Sequence, residues 1–465
     1  MLTKIGQRFT DLFTKYMPSA FVFALILTLF TALLAYAFAD ANSIDIIEAW
    51  YKGFFDLLEF GMQITLIIIT GLSIALSPLI GKGIDKIANK ISNPNTVYLI
   101  VVFTGALLSL ISFGWIVIAA VLARELAIRI KGVNYPFLVA CVYFSGGSWV
   151  CGLSSSIPLL LNTEQNFLIE GDVLSEVIPT SETLGSSLNL AMLGLFLVIA
   201  PLIAYIIIPK VTSFRELKDM LKETPSEPTK SITEESKSLT LPFKAVSDSL
   251  NNSWILQTLV GLMGVTYIVY YFYNNGFDLN FNIMIFIFII VGLLLHKTPM
   301  CYSIAMKRSS SNISGILFQY PFYAGIMGIM LHTGLGSNIA ELISSVATTQ
   351  SYPFLSYITG GVINFAIPSG GGEYAVIGPS ILEAVKAIGV GLPADQVTAM
   401  ISRASLSIAY GESLTNLLQP FYLLIIFPVM GKGIKIQARD VMGYLVIPFV
   451  ILFVIQALMV TYMPL

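Results

Sequence analysis

The sequence predicts an all-α polytopic membrane protein made of two inverted repeats, each with a re-entrant hairpin and an interrupted helix. Three observations carry that prediction. Of 465 residues 56% are hydrophobic and 11% charged, with a mean hydropathy of +0.82. The apolar residues fall into eleven runs, and the Lys and Arg residues gather between those runs in a few clusters. A soluble domain is about 25% charged, so most of this chain must lie in lipid.

The first run, residues 20–39, follows Lys4, Arg8 and Lys15 and ends in Ala37-Phe38-Ala39, which resembles a cleavage site. It is long for a signal core and reads as a retained first span. Further runs cover residues 60–80, 96–123, 136–161, 184–208, 254–272, 281–295, 313–331, 352–388, 397–429 and 441–462. Cytoplasmic loops are enriched in Lys and Arg. Twenty-two of the 25 such residues fall in six clusters: the N-terminus, residues 82–90, 124–131, 210–244, 297–308 and 432–439. Residues 40–59 and 164–182 hold five acidic residues each and one Lys between them, which places both stretches outside.

For Lys90 and Arg124 to share one side, run 96–123 must enter and return, with its tip near Ser109 to Gly114. Run 352–388 does the same from outside. Its tip, Pro368-Ser369-Gly370-Gly371-Gly372-Glu373, is one that no through-helix would carry at its middle. The result is nine full spans and two hairpins, with the N-terminus cytoplasmic and the C-terminus outside. Residues 1–208 form the first membrane repeat, 209–252 a mobile cytoplasmic hydrophilic linker, 253–273 a connector span and 274–465 the second repeat.

Thr104-Gly105-Ala106-Leu107-Leu108-Ser109 parallels Thr359-Gly360-Gly361-Val362-Ile363-Asn364, and Gly152-Leu153-Ser154 parallels Gly411-Glu412-Ser413. Each half reads span, span, hairpin, interrupted span, span. With one connector between them the halves must be inverted. Inverted repeats with broken helices at mid-membrane are a signature of secondary transporters.

Tips and breaks are where polar residues share membrane depth. Irregular backbone is tolerated there only when it is buried or lines a wet cavity. Freed amides at half-helix starts bind carboxylates, and freed carbonyls and hydroxyls coordinate cations. Substrate-binding candidates are therefore Ser109, Ser112, Ser154, Asn364, Ser369, Gly370, Gly371, Arg403 and Ser413. Coupling-ion candidates are Asn364, Glu373, Glu412, Thr415 and Asn416. The competing reading of the Gly and Ser residues is close helix packing. Intramembrane charge is costly and usually functional, but Arg403 suits either an anionic substrate or a structural ion pair. Hydroxyl, Asn and Gly ligands suit Na+, whereas Glu412 and Glu373 suit protons.

Cys141, Cys151 and Cys301 read as buried thiols, and His296 and His332 as interfacial. No metal ligand set is expected. Near-neutral charge argues against a nucleic-acid partner. The chain lacks HExxH, GxSxG, a P-loop lysine and paired CxxC, which leaves no support for a membrane enzyme or ATPase. No cofactor is expected beyond a coupling ion, H+ or Na+. An anion-selective channel is the rival of another class.

The segments Phe60-Gly61-Met62-Gln63, Leu294 to Met300, Gln319-Tyr320-Pro321-Phe322-Tyr323-Ala324-Gly325-Ile326, Ile363 to Gly372, Ile408-Ala409-Tyr410-Gly411-Glu412 and Gln419-Pro420-Phe421 resemble the short-chain fatty acid transporter family. This is the group of bacterial acetoacetate and butyrate permeases within the ion transporter superfamily. The likeness runs along nearly the whole chain. It implies uptake of small monocarboxylates coupled to a cation, in the bacterial inner membrane, by an elevator-type homodimer. A dicarboxylate or citrate carrier of the same superfamily is the nearest alternative.

Overall fold

The structure is a computed structural model and describes residues 20–209, 215–221, 231–243, 245–276, 279–310, 314–365, 367–420 and 422–464. The first positive cluster, Lys4, Arg8 and Lys15, lies outside the described residues. So do Lys210, Lys222, Lys230 and Lys244 of the hydrophilic stretch, and Ala366 and Phe421 of the family segments.

A helix satisfies its own amides, which is what lipid demands of an apolar chain. The described residues are accordingly helical, with one isolated backbone bridge, Leu221 to Ile434. The principal helices are α1 (Ala20–Phe38), α2 (Ser43–Gly53), α3 (Leu58–Ala75), α4 (Pro78–Ala88), α5 (Pro94–Ile111), α6 (Ile116–Arg129), α7 (Tyr135–Ser145), α8 (Ser156–Leu161), α9 (Ser187–Ile206), α10 (Trp254–Asn275), α11 (Phe281–His296), α12 (Pro299–Ser310), α13 (Ser314–His332), α14 (Leu335–Val346), α15 (Tyr352–Ile363), α16 (Gly370–Ile388), α17 (Ala394–Thr415), α18 (Leu423–Met430) and α19 (Val446–Tyr462). By length and composition α3, α5, α9, α10 and the joined residues of α7 and α8 are each able to cross a membrane. Two bent pairs pass together: α13 with α14 at 73°, and Ala438–Tyr444 with α19 at 42°. That makes five to seven crossings among the described residues. Of the nine full spans expected, α11 and the segment Ala24–Phe38 of α1 are apolar but shorter than 18 residues.

Two expected breaks occur as helix, break, helix, each displaced by a few residues. α5 ends at Ile111 and α6 begins at Ile116, with Ser112 extended at φ −154°, ψ 134° between them. In the second hairpin run the turn comes earlier than expected. Gly370 to Glu373 are already the first turn of α16, and the non-helical residues described before it are 364, 365 and 367–369. Ser369 is the reason, because it caps the helix by accepting from the Gly372 amide at 3.4 Å. In the last interrupted run α17 continues through Gly411 and Glu412, and the chain breaks only beyond Leu418.

Close helix approach fixes the breaks against one another. A β-carbon at Gly360 would stand 2.5 Å from the Ile408 carbonyl oxygen, and one at Gly411 would collide with the Tyr357 carbonyl, so α15 and α17 touch backbone to backbone. In the first half Gly152 similarly admits the Leu110 carbonyl, and the Leu153 amide donates to that oxygen at 2.7 Å.

Where it is described, the hydrophilic stretch makes specific contacts with other parts of the chain. Arg215 pairs with Asp440 at 2.7 Å, and Glu216 accepts from the Gly132 amide at 2.9 Å. Glu235 holds Arg308 of α12 through both Nε and Nη2, and Ile232 is buried against Ile304 and Ala305. Few apolar residues suffice here because charged partners wait on neighbouring helices. His296 also departs from expectation. It is buried, with Nε2 2.7 Å from the Ser73 carbonyl oxygen. Cys141 and Cys151 are buried free thiols, and Cys301 is half-buried.

Candidate functional site

The site is built where the four breaks meet. In the first half the Phe113 amide donates to Ser154 Oγ at 3.1 Å, and the Ser148 hydroxyl donates to the Ala106 carbonyl at 2.8 Å. Ser112 packs on Gly71, and Ser109 is fully buried with its hydroxyl unpartnered among the described residues. In the second half Asn364 Nδ2 donates to the Glu412 carbonyl and to Thr415 Oγ1, both at 2.9 Å. Gln419 Nε2 donates to the Asn364 carbonyl at 3.2 Å.

Bonds between the halves then close the cluster. The Ser413 hydroxyl donates to the Gly147 carbonyl at 2.8 Å, and the Tyr143 hydroxyl to the Asn416 carbonyl at 2.8 Å. Trp149 Nε1 donates to the Tyr422 hydroxyl at 2.9 Å, which also accepts from Asn416 Nδ2 at 3.2 Å. The same Asn416 amide reaches Glu412 Oε1 at 3.0 Å.

These groups converge on the start of α16. A β-carbon at position 370 would stand 3.1 Å from Trp149 Cη2, 3.2 Å from Glu412 Oε2 and 3.4 Å from Ser156 Oγ. The first amides of a helix have no partner within it, so Gly370 and Gly371 present N–H groups at the positive end of the helix dipole. The carboxylate, the indole and the hydroxyl thus crowd position 370, and a side chain there would have to push them back by a few tenths of an ångström. Gly371 is similarly hemmed by Phe60 and Tyr320, and Tyr320 Oη lies 3.2 Å from Ser369 Oγ.

Two acids complete the arrangement. Glu412 Oε2 and both oxygens of Glu373 are buried without a hydrogen-bond partner among the described residues. Asn364 Oδ1 and Ser156 Oγ share that condition. A buried ionised carboxylate without a partner is strongly disfavoured, which keeps both acids as candidates for taking up a proton or a cation.

Thirteen expected candidates reduce to a tighter set. Asn364, Ser369, Gly370, Glu412, Ser413, Thr415 and Asn416 are linked by the contacts above, with Gly371 and Glu373 on the same first turn of α16. Ser154 and Ser112 hold the first break in shape. Arg403 stands apart. It lies nine residues before Glu412 in α17, roughly 13 Å along the helix, and donates to the Val460 and Thr461 carbonyls at 3.0 Å each. Neither an acidic partner nor the cluster is in reach of those bonds. Ser156 belongs to the polar run 152–156 of the first-half interrupted helix, whereas Trp149, Tyr143 and Tyr422 were missed by sequence reasoning. Trp149 stands between two small-residue runs, Ser145 to Ser148 and Gly152 to Ser156, and an aromatic at that place was the available signal. Among the described residues no group of His, Cys, Asp and Glu could hold a metal ion.

The short chain fatty acid transporter family model matches residues 1–463. The chain belongs to this family. Its members include a protein of Haemophilus influenzae named for short-chain fatty acid transport, 33% identical over 449 residues, and one of Escherichia coli so named, 34% identical over 445. Each alignment spans 96% of both chains. The short-chain fatty acid transporters are transporters and not enzymes, and this chain is accordingly a multi-pass membrane transporter. In fold it is similar to the YdaH transporter of Alcanivorax borkumensis, with a TM-score of 0.53 at 13% identity, covering 95% of this chain and 97% of that one. It is likewise similar to MtrF of Neisseria gonorrhoeae, described as an antimetabolite efflux pump, with a TM-score of 0.54 at 15% identity, covering 97% and 96%.

Proposed function

We propose that this chain takes up short-chain monocarboxylates such as acetoacetate and butyrate together with a proton, and that the acid's carboxylate sits at the start of α16. The observation that carries the reading is the convergence of Glu412 Oε2 and Ser156 Oγ, from opposite halves, on Gly370. The N–H groups of Gly370 and Gly371 and the hydroxyls of Ser156 and Ser369 are donors of the kind an oxyanion needs. Coupling follows from charge. Ionised Glu412 repels a second carboxylate at this distance, whereas protonated Glu412 offers it an O–H. Proton and acid therefore bind cooperatively, which is the linkage symport requires.

A second reading replaces the proton by Na+, held by the unpartnered Asn364 Oδ1 with oxygens of the α17 end. Alternating access by sliding of the core of α5 to α8 and α15 to α18 past the remaining helices suits the site's position between halves. Positive loops inside support a cytoplasmic N-terminus, an external C-terminus and inverted halves.

Uptake of labelled butyrate or acetoacetate into proteoliposomes, with pH and Na+ gradients imposed separately, tests the proposal. Accumulation driven by an inward proton gradient at constant Na+ is expected. Uptake that ignores both gradients overturns the coupling, and accumulation driven by Na+ alone selects the second reading.

A further inference from the structure

We propose that Trp149, braced by Phe113 and Tyr422, is the residue that limits the chain length of the transported acid; this rests on the site proposed above. The indole edge stands against Gly370, 3.1 Å from where a β-carbon would be. An acid whose carboxylate meets the Gly370 amide therefore extends its alkyl tail within a bond or two of that ring. Trp149 is half-buried, whereas Ser148 and Val150 on either side of it are fully buried, so this side chain keeps surface that its immediate neighbours do not.

The ring cannot retract. Its Nε1 is fixed to the Tyr422 hydroxyl at 2.9 Å, and Tyr422 is in turn stacked on Tyr143 with centroids 5.1 Å apart. Phe113 closes the third side, 5.6 Å from the Trp149 centroid and 5.0 Å from that of Tyr422. A rigid aromatic wall accepts apolar methylenes along its face and stops a longer chain sterically. The indole bond also leads through Tyr422 and Asn416 to Glu412, so the wall and the carboxyl group are held by one hydrogen-bond chain. The combination fits acids with one carboxylate and a short unbranched tail.

The test is competition of labelled butyrate uptake by unlabelled straight-chain acids of two to eight carbons, in proteoliposomes of the wild type, Trp149→Ala and Trp149→Phe. Each methylene newly accommodated in apolar surroundings strengthens binding by a factor of about four. Trp149→Ala is expected to shift the longest effective competitor by two or more carbons, and Trp149→Phe by about one, with weaker competition by the shortest acids. Should Trp149→Ala fail to fold, as shown by its melting in detergent, Trp149→Phe decides. Transport-competent variants with the wild-type length limit overturn this inference alone. A wild type that takes up no monocarboxylate overturns the site reading and this inference with it.

Discussion

Asn364, at the break after α15, donates to the main-chain carbonyl of Glu412, in the last turn of α17, at 2.9 Å. That bond places the acid's own backbone under control of the opposite break. Asn364→Ala removes it together with the bond to Thr415 Oγ1, at a cost of about 0.5–1.5 kcal/mol for each bond, because the Glu412 carbonyl keeps the Asn416 amide and the Thr415 hydroxyl as donors. The expected result is a lower melting temperature in detergent and loss of butyrate uptake. Unchanged melting would mean that water replaces the amide at no cost and that the junction is looser than its hydrogen bonds imply.

Arg403 is expected to be structural. Its guanidinium holds the Val460 and Thr461 carbonyls at the end of α19, where a cation meets the negative end of the helix. Arg403→Ala should destabilise the protein while leaving the KM for the acid unchanged in the fraction that folds. A tenfold rise in KM with unaltered melting would instead bring Arg403 into the substrate's path.

The breaks were legible because glycine, serine and proline clustered inside an apolar run interrupt a helix in lipid more readily than they extend it. Their exact registers were not. Three glycines at 370–372 read as a turn, and only the Ser369 cap makes them a helix start. Arg403 was ambiguous because its partners are backbone carbonyls, which leave no mark in composition. The contacts of Trp149 with Tyr422 and of Ser413 with Gly147 join residues 273 and 266 positions apart, and periodicity says nothing about which faces of distant helices will meet. The docking of Glu235 on Arg308 likewise depended on tertiary proximity that local pattern does not encode.

Asp56, in the turn between α2 and α3, carries a pH effect of definite sign. Partial desolvation pushes its carboxyl above the ordinary value although the side chain is still 42% exposed, and the nearby His332, 3.9 Å away, only partly opposes this. A carboxyl raised in the folded state favours folding most below its unfolded pKa and loses that contribution as pH rises through the folded value. Asp56→Asn, which mimics the protonated form, should therefore melt higher than the wild type at pH 7, with the gap closing as pH is lowered toward 4. A gap that widens on acidification would show that the histidine, not burial, dominates.

Glu412→Gln separates coupling from binding. The amide keeps the size of the side chain and an oxygen to accept from Asn416, so the break should fold as before. It also keeps a neutral group facing Gly370, as the protonated acid does, so the substrate carboxylate is still received. What it cannot do is release a proton on the other side. Exchange of internal unlabelled for external labelled butyrate is therefore expected to persist, while accumulation driven by a proton gradient falls to the equilibrium level. Exchange and net uptake should also lose the pH dependence of the wild type. Wild-type accumulation by this variant would remove Glu412 from coupling and leave that role to Glu373, whose two oxygens are buried without a partner among the described residues in the first turn of α16.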